Sequence, residues 1–269
     1  MQMKTDFDHP NARDYIASLA AKGRYHFLLS EANLALGGTI KATKLALNRL
    51  AKKGLLASPA RGFYVVVPPE YHSLECLPAD QFIPALMKHL GQPYYAGLLS
   101  AAQYHGAAHH RPQEFQVVVA KPYRPIQCGS VRVAFMNRKQ LAEVPVQSFN
   151  TPRGTILVST PEATALDLVG YYYQVGGLDQ VATILADLAE ALDGDKLVSV
   201  ARLSPLPWAQ RLGYLLESVE AGDKARLLKA YVQENARQSA VLLPTLPHTQ
   251  VSRNKDWKLY INTEVEVDL

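Results

Sequence analysis

The chain has 269 residues, 48% of them hydrophobic, which is enough for a buried core and for about two domains. Two cysteines, Cys76 and Cys128, exclude a disulfide framework and a cysteine-rich zinc cluster, and they fit a reducing compartment. No apolar run approaches the ~20 residues that a membrane helix needs. The polar, acidic N-terminus is unlike a signal peptide. We therefore expect a soluble cytoplasmic protein.

The net charge of +4 is unevenly distributed along the chain. Residues 1–70 hold ten Lys/Arg and five Asp/Glu, residues 71–140 hold seven and three, and residues 141–269 hold eleven and sixteen. Between Lys22 and Val67 there are eight cations and a single acid, Glu31. This asymmetry indicates that the N-terminal part meets a polyanion, although lysines are also ordinary solvating residues.

The first predicted elements, taken in chain order, form a helix-turn-helix pattern. Residues 11–23 have the apolar period of a helix, and residues 25–29 are typical of a short strand. Residues 30–38 predict a short helix capped by Ser30 and ended by Gly37 and Gly38. Thr39 is expected to cap a second helix of about four turns, which ends before Gly54.

This second helix is expected to have an apolar face and a cationic face. The 3.6-residue period gathers six residues on the face toward the core: Ile40, Thr43, Ala46, Leu47, Leu50 and Ala51. The opposite face holds Lys41, Lys44, Asn48 and Lys52, flanked by Arg49, with Leu45 as the one exposed apolar residue. Because lysines hold phosphates and Asn, Lys and Arg also read base edges, this face is predicted to bind DNA.

A β-hairpin is predicted directly after the cationic helix. Residues 55–57 and 63–67 are β-rich, and the SPARG segment between them contains Pro59, Arg61 and Gly62, with Arg61 at the turn. Helix, strand, helix, turn, cationic helix and hairpin are the parts of a winged helix. We therefore predict a winged-helix DNA-binding domain over residues 1–75. The alternative is a winged helix that serves only as a protein-docking module.

The remainder, residues 76–269, is predicted to be a mixed α/β domain with one or two lobes, so the fold class is α+β. Helices are expected over residues 77–91, 94–106, 159–173, 178–192, 196–203, 208–220 and 223–235. Strands are expected over residues 115–120, 131–136, 155–159 and 257–265. Thr160 and Pro161 are typical of the start of the 159–173 helix.

Catalytic motifs are absent from the sequence: it has no Walker loop, no Gly-x-Gly-x-x-Gly and no Gly-x-Ser-x-Gly. Gly129-Ser130 is similar to the start of a nucleotidyltransferase motif, but no acid follows in residues 131–138. His105, His109 and His110 have no Cys or acid nearby to complete a metal site. We predict no catalytic residue, no metal and no cofactor. The alternative is an enzyme whose C-terminal α/β domain acts on nucleotides or modifies a protein.

Four motifs follow the N-terminal winged helix along the chain: SAAQYHGA (100–107), RGTILVSTPEATALDL (153–168), RLGYLLES (211–218) and NKDWKLYIN (254–262). Together with the winged helix they resemble the AbiEi family of antitoxins, from type IV toxin–antitoxin operons that give abortive phage infection. The resemblance spans nearly the full length. The order and spacing of the last three are its most specific part.

The resemblance implies a transcriptional autorepressor that binds inverted repeats in double-stranded DNA of its own promoter. The DNA contacts would be Lys41, Lys44, Asn48, Lys52 and Arg61, with Thr39 and Arg49 beside them. It also implies a C-terminal domain that neutralises a nucleotidyltransferase-like toxin, by contact or by modification, often without a stable complex. The candidates for this antitoxin or partner surface are Arg211, Tyr214 and Trp257. The oligomeric state stays open, including a monomer that binds DNA cooperatively.

Overall fold

The computed structural model describes residues 9–107, 113–247 and 249–267. These residues form both helices and strands, so the predicted α+β class is confirmed. His109 and His110, weighed above as metal ligands, lie outside the described residues.

The N-terminal elements follow the order predicted from the sequence. They are α1 (Ala12–Ala21), β1 (His26–Leu28), α2 (Leu29–Leu36), α3 (Ile40–Ala51), β2 (Leu56–Ala60), β3 (Phe63–Val66) and, after a short 3-10 turn, α4 (Ala79–Leu90).

The remaining elements mix short strands with longer helices. The strands and helix that come first are β4 (Tyr94–Ala96), α5 (Leu98–Tyr104), β5 (Phe115–Val119), β6 (Ile126–Cys128), β7 (Val131–Asn137), β8 (Val146–Thr151) and β9 (Gly154–Ser159). After these come α6 (Pro161–Gly170), α7 (Leu178–Leu188), α8 (Gly194–Ala201), α9 (Leu206–Ser218), α10 (Gly222–Asn235), β10 (Ala240–Val241), β11 (Ser252–Asn254) and β12 (Leu259–Ile261).

Several strands after residue 76 differ from those predicted, and β10 and β11, of two and three residues, were not predicted. Residues 94–96, predicted as the start of a helix, form β4, because two adjacent tyrosines pair with β5 and α5 begins only after Gly97. β6 and β8 were not predicted, since β6 has three residues and β8 is mostly exposed and lacks an apolar alternation. The strand predicted over residues 257–265 is confined to β12.

The chain forms two compact units. The first unit comprises Met1–Gln92, Tyr123–Phe135 and Asn150–Ile156, and the second comprises Pro93–Pro122, Met136–Phe149 and Leu157–Leu269. The predicted domains, residues 1–75 and 76–269, have different bounds from these two units. That these domains fold independently stays a prediction.

The core of the first unit lies between α1, α2, α3 and a three-stranded antiparallel sheet of order β1-β3-β2. Phe27 is fully buried at its centre, with its ring edge-on to Tyr15 at 5.4 Å and stacked on Tyr64 at 5.5 Å. Leu47 and Leu50 of α3 join this core. Burial of these side chains fixes the face that α3 turns to solvent.

Two details of the N-terminal prediction are wrong. Ser30 does not cap α2, because β1 leads directly into the helix and the cap residue is Leu28, whose N–H donates to the Glu31 carboxylate at 2.7 Å. Ile40 and Ala51 are exposed rather than in the core, because α3 packs through the narrow stripe of Thr43, Leu47 and Leu50.

The second unit packs its helices around α6, in which Pro161–Val169 are all buried. Within this unit β4 pairs antiparallel with β5, and Ala96 of β4 pairs parallel with Val158 of β9. Near the C-terminus a small sheet has the order β10-β12-β11. Thr160 caps α6 as predicted, accepting from the Ala163 N–H at 3.4 Å.

Candidate nucleic-acid interface and candidate partner residues

The orientation of α3 is set by its first turn and by one buried polar contact. Thr39 caps the helix, its hydroxyl accepting from the Ala42 N–H at 3.2 Å, as predicted. Inside, the Thr43 hydroxyl donates to the Asn33 side-chain oxygen at 3.0 Å and ties α3 to α2. With Leu47 and Leu50 in the core, this bond leaves α3 one rotational setting relative to α2.

The residues predicted to contact DNA lie on the solvent side of α3. Lys41, Lys44, Asn48, Arg49 and Lys52 are all exposed, on the side away from the buried stripe. Within the described residues, none of their side chains forms an ion pair. Their charge therefore faces solvent uncompensated by a partner in this part of the chain.

Arg61 lies at the tip of the β2–β3 hairpin, where the sequence predicted it, and it is exposed. The turn is tighter than the predicted SPARG loop, since Ala60 still pairs with Phe63 and Gly62 takes the left-handed backbone with φ of 78°. The Ser58 hydroxyl donates to the carbonyls of Ala60 and Phe63 at 3.1 Å, and the Leu29 N–H donates to the Gly62 carbonyl at 2.9 Å. These bonds hold the tip of the hairpin beside the start of α2.

Glu31, the single acid between Lys22 and Val67, is neutralised within the unit. Both its oxygens accept from Arg24, at 2.6 and 2.7 Å. Burial opposes ionisation of this carboxyl, but the hydrogen bonds from Arg24 and the Leu28 N–H, together with the Arg24 charge, outweigh burial and lower its pKa. Glu31 therefore helps to position α2, and because Arg24 balances its charge it does little to reduce the positive charge of α3.

The three candidate partner residues are in the second unit, and two of them are buried. The Arg211 side chain, 8% exposed, donates from Nε to the Val241 carbonyl at 2.9 Å. Trp257 is fully buried, and its Nε1 donates to Glu217 at 2.8 Å. Tyr214 is half-buried. This geometry gives Arg211 and Trp257 a packing role, and a partner-binding role for the three residues stays a prediction.

A buried polar cluster in the second unit was missed by sequence reasoning. Asp167 on α6 is fully buried, forms an ion pair with Arg138 and accepts from the Tyr95 hydroxyl at 2.8 Å. Arg138 also donates to the Ser204 hydroxyl at 2.8 Å, and its guanidinium lies 5.7 Å from the Trp208 ring centre. A signal was present, since Asp167 is a lone acid within the apolar run of α6.

Burial raises the pKa values of two groups in this cluster, Asp167 and Tyr95. Burial raises the pKa of Asp167, which the Arg138 charge and the Tyr95 hydroxyl oppose. Burial, with the Asp167 charge, raises the pKa of Tyr95 well above its usual range, so this hydroxyl exchanges no proton near neutral pH. Among the described residues no group of three His, Cys, Asp or Glu side chains is placed to hold a metal ion. No helix in the described ranges is long and apolar enough to cross a bilayer.

Comparison with known proteins adds a family match and a fold match. A family model for the AbiEi antitoxin C-terminal domain matches residues 95–218, which include Tyr95, Arg138, Asp167, Arg211 and Tyr214. The crystal structure of the RV2827C protein from Mycobacterium tuberculosis is similar in fold, with a TM-score of 0.68 and 16% identity over 92% of this chain and 90% of that chain.

A second solved structure is an antigenic nucleotidyltransferase-like protein from Paracoccidioides brasiliensis, with a TM-score of 0.37 and 13% identity over 56% of this chain and 91% of that chain. The search of curated proteins found no match.

Proposed function

We propose that the chain is a DNA-binding autorepressor as well as an antitoxin of the AbiEi family, whose C-terminal domain model matches residues 95–218. The family match supports the toxin–antitoxin role, and it lies outside α3 and the β2–β3 hairpin. DNA binding is therefore argued from the first unit alone.

The observation that carries the proposal is the exposed, unpaired cationic face of α3. Four cations and Asn48 face solvent on a helix whose opposite side is buried. Duplex DNA carries one negative charge per ~1.7 Å of axis, so a helix presenting cations gains affinity by releasing counterions. Arg61 at the tip of the hairpin supplies a further cation. In a winged-helix reading, α3 enters the major groove and the β2–β3 hairpin is the wing.

In this proposal the two kinds of contact have different roles. Lys41, Lys44 and Lys52 hold phosphates and fix the register, as does Arg61 from the wing. Asn48 presents an amide that matches the N6 and N7 atoms of adenine, and Arg49 flanks it. The DNA is the chain's own promoter with inverted repeats, and the second unit counters a nucleotidyltransferase-like toxin. The protein acts in the cytoplasm, without a cofactor and without catalysis.

The test is fluorescence anisotropy of the full-length chain with DNA from upstream of its own gene and with scrambled DNA of equal length. We expect sequence-selective binding with a log–log salt slope of about −4, from about four phosphate contacts. The variant Lys41→Ala/Lys44→Ala/Lys52→Ala should lose this binding, and each single change should reduce the slope by about one.

A matched control changes the same amount of charge in the second unit. The variant Lys121→Ala/Lys139→Ala/Lys255→Ala removes three exposed lysines there and should bind DNA as the wild type does. Equal and weak binding of wild type to both DNAs, or equal losses in the two triple variants, would contradict the assignment of α3.

The antitoxin role is tested separately with the same variants. Each is co-expressed with the toxin of the neighbouring gene, and growth is measured. The α3 triple variant should still restore growth, because its substitutions lie outside residues 95–218. Loss of growth rescue in this variant, with the toxin level matched to wild type, would contradict the division of roles between the two units.

A further inference from the structure

Two large apolar side chains of α3 are exposed: Leu45 lies among the cations, and Ile40 lies at the start of the helix between Lys44 and the buried stripe. Ile40 is 57% exposed and Leu45 is 52% exposed, although both are on a helix that has a buried stripe available. Single exposed apolar residues are common on protein surfaces and need no explanation. Leu45 lies on the surface that the proposed function assigns to DNA, and Ile40 lies at the border of that surface beside Lys44.

Helix geometry sets these residues on either side of the amide. At about 100° per residue, Asn48 lies about 80° around the axis from Ile40, and Leu45 lies about 140° from it. Lys44 and Lys41 fall between these positions. Along the axis Ile40 and Leu45 are about 7.5 Å apart, close to two base-pair steps of about 3.4 Å. Ile40 therefore borders the cationic arc, and Leu45 lies within it, between Lys52 and Arg49 around the axis.

The major groove of DNA offers one apolar group to such edges, the C5-methyl group of thymine. Lysine contacts to phosphate are blind to sequence, so they leave base preference to other side chains. We propose that Ile40 and Leu45 contact thymine methyl groups in the major groove and favour A·T pairs beneath α3. This inference rests on the proposed function and deepens it, since Asn48 between them matches adenine.

A second copy of this chain is the rival occupant of these side chains. Leu34 on α2 is 83% exposed and would add apolar area to such an interface. The cations between Ile40 and Leu45 oppose it, because two copies meeting there would set like charges together. The same cations favour a polyanion, so DNA is the occupant that the surface fits.

The experiment compares a thymine-containing duplex from upstream of the gene with the same duplex in which every thymine is replaced by deoxyuridine. Wild type should bind the deoxyuridine duplex about fourfold more weakly for each methyl group contacted. The variants Ile40→Ala and Leu45→Ala should each lose part of this preference, and the double variant should bind both duplexes equally. Both sites are exposed and alanine is a good helix former, so the fold is retained.

Two controls accompany these measurements. Leu227→Ala removes an exposed leucine of α10, 38% exposed, and should keep the wild-type preference for thymine. The salt slope of the Ile40→Ala/Leu45→Ala variant should equal that of wild type, because no phosphate contact is removed.

The failures of the two ideas differ. Steeply salt-dependent binding with the same thymine-to-deoxyuridine ratio in wild type and double variant overturns methyl recognition and leaves DNA binding in place. A change of sedimentation coefficient in the double variant, with that ratio unaltered, assigns the two side chains to a second copy of the chain. No binding of wild type to either duplex overturns both the proposed function and this inference.

Discussion

In the first unit α3 turns its cations to solvent, whereas the second unit buries Arg138 and Arg211 among protein partners. The α3 cations form no ion pair within the described residues, while Arg138 is paired with Asp167 and Arg211 donates to a backbone carbonyl. Removing a charge from water is costly unless it is paired and hydrogen-bonded, so each buried guanidinium needs these partners. An exposed lysine stays solvated and keeps its bonding capacity for a ligand.

This difference separates two kinds of measurement. Substitutions on the exposed face of α3 should change affinity for DNA and leave stability nearly unchanged. Substitutions in the Arg138–Asp167 pair should change the free energy of unfolding, because each of these buried charges is compensated by the other within the protein. The predictions below test this separation from its largest expected effect to its smallest.

The largest effect is expected from Arg138→Met, which keeps the aliphatic volume and removes the charge. Asp167, fully buried, would then lack its cation and keep only the Tyr95 hydroxyl as a partner. We expect the free energy of unfolding to fall by about 3–5 kcal/mol, measured by urea denaturation. Arg138→Met/Asp167→Asn removes both charges and should recover much of this loss.

The control for that prediction is an exposed pair in the first unit. Arg24 and Glu31 side chains are 40% and 37% exposed, so Arg24→Ala should cost no more than about 1 kcal/mol. If the double variant of the buried pair were less stable than Arg138→Met alone, an uncompensated charge would not be the cause of the loss. If Arg138→Met and Arg24→Ala lowered the free energy of unfolding by the same amount, burial of the ion pair would not explain the difference between the two units.

The sequence predicted the exposed surface better than the buried one. The 3.6-residue period, Thr39 and the Pro-Gly turn placed the cations on one side of α3 and Arg61 at the tip of the hairpin, because these signals are local. The ion pair of Arg138 with Asp167 joins a residue just after β7 to a residue of α6, 29 positions apart, so the local periodicity of the sequence does not predict it. The same holds for Trp257 and Glu217, which are 40 positions apart.

Tertiary packing also explains the errors within α3. Periodicity assigned Ile40 and Ala51 to the core, but the width of the buried stripe depends on how much of α3 the neighbouring elements cover. That coverage is a property of the whole cluster and cannot be read from the helix alone. Ile40, which the sequence pattern wrongly assigned to the core, is one of the two side chains proposed to contact thymine methyl groups.

An intermediate effect is expected from Gly213→Ala on α9. A Cβ at this position would overlap the indole ring of Trp257, which is fully buried and held by its Nε1 bond to Glu217 at 2.8 Å. Overpacking of this kind costs about 1–3 kcal/mol, so the urea midpoint should fall. DNA affinity should be unchanged, which sharpens the contrast between the units.

A second helical glycine gives the matched control. A Cβ at Gly222, the first residue of α10, would make only an ordinary contact with the Glu217 side chain at 3.5 Å, so Gly222→Ala tests the same substitution without a clash. Should Gly213→Ala cost no more than this variant, close packing against Trp257 would not be what requires glycine in α9.

The smallest effect is expected in the pH dependence of stability, because the folded first unit disfavours the protonated form of His26. Burial lowers the pKa of His26, with Arg24 and Lys88 adding to the shift and Glu31 opposing it; His26 also stacks on Phe63, whose ring lies against His89. Because its folded pKa is below the unfolded value, the unfolded state binds more protons as pH falls below about 6.5, and stability is lost there. His105 in the second unit behaves likewise, since burial lowers its pKa although its bond to the Ser159 carbonyl at 2.7 Å opposes the shift.

We therefore expect unfolding free energies measured at about pH 7.5 and about pH 5.5 to differ less in His26→Phe than in wild type. His105→Phe should reduce the same difference independently, because each histidine is half-buried in its own unit. An unchanged difference in both variants would assign the acid sensitivity to other groups. A reduced difference in His26→Phe, with DNA affinity at neutral pH intact, would show that protonation of His26 destabilises the first unit independently of the exposed face of α3.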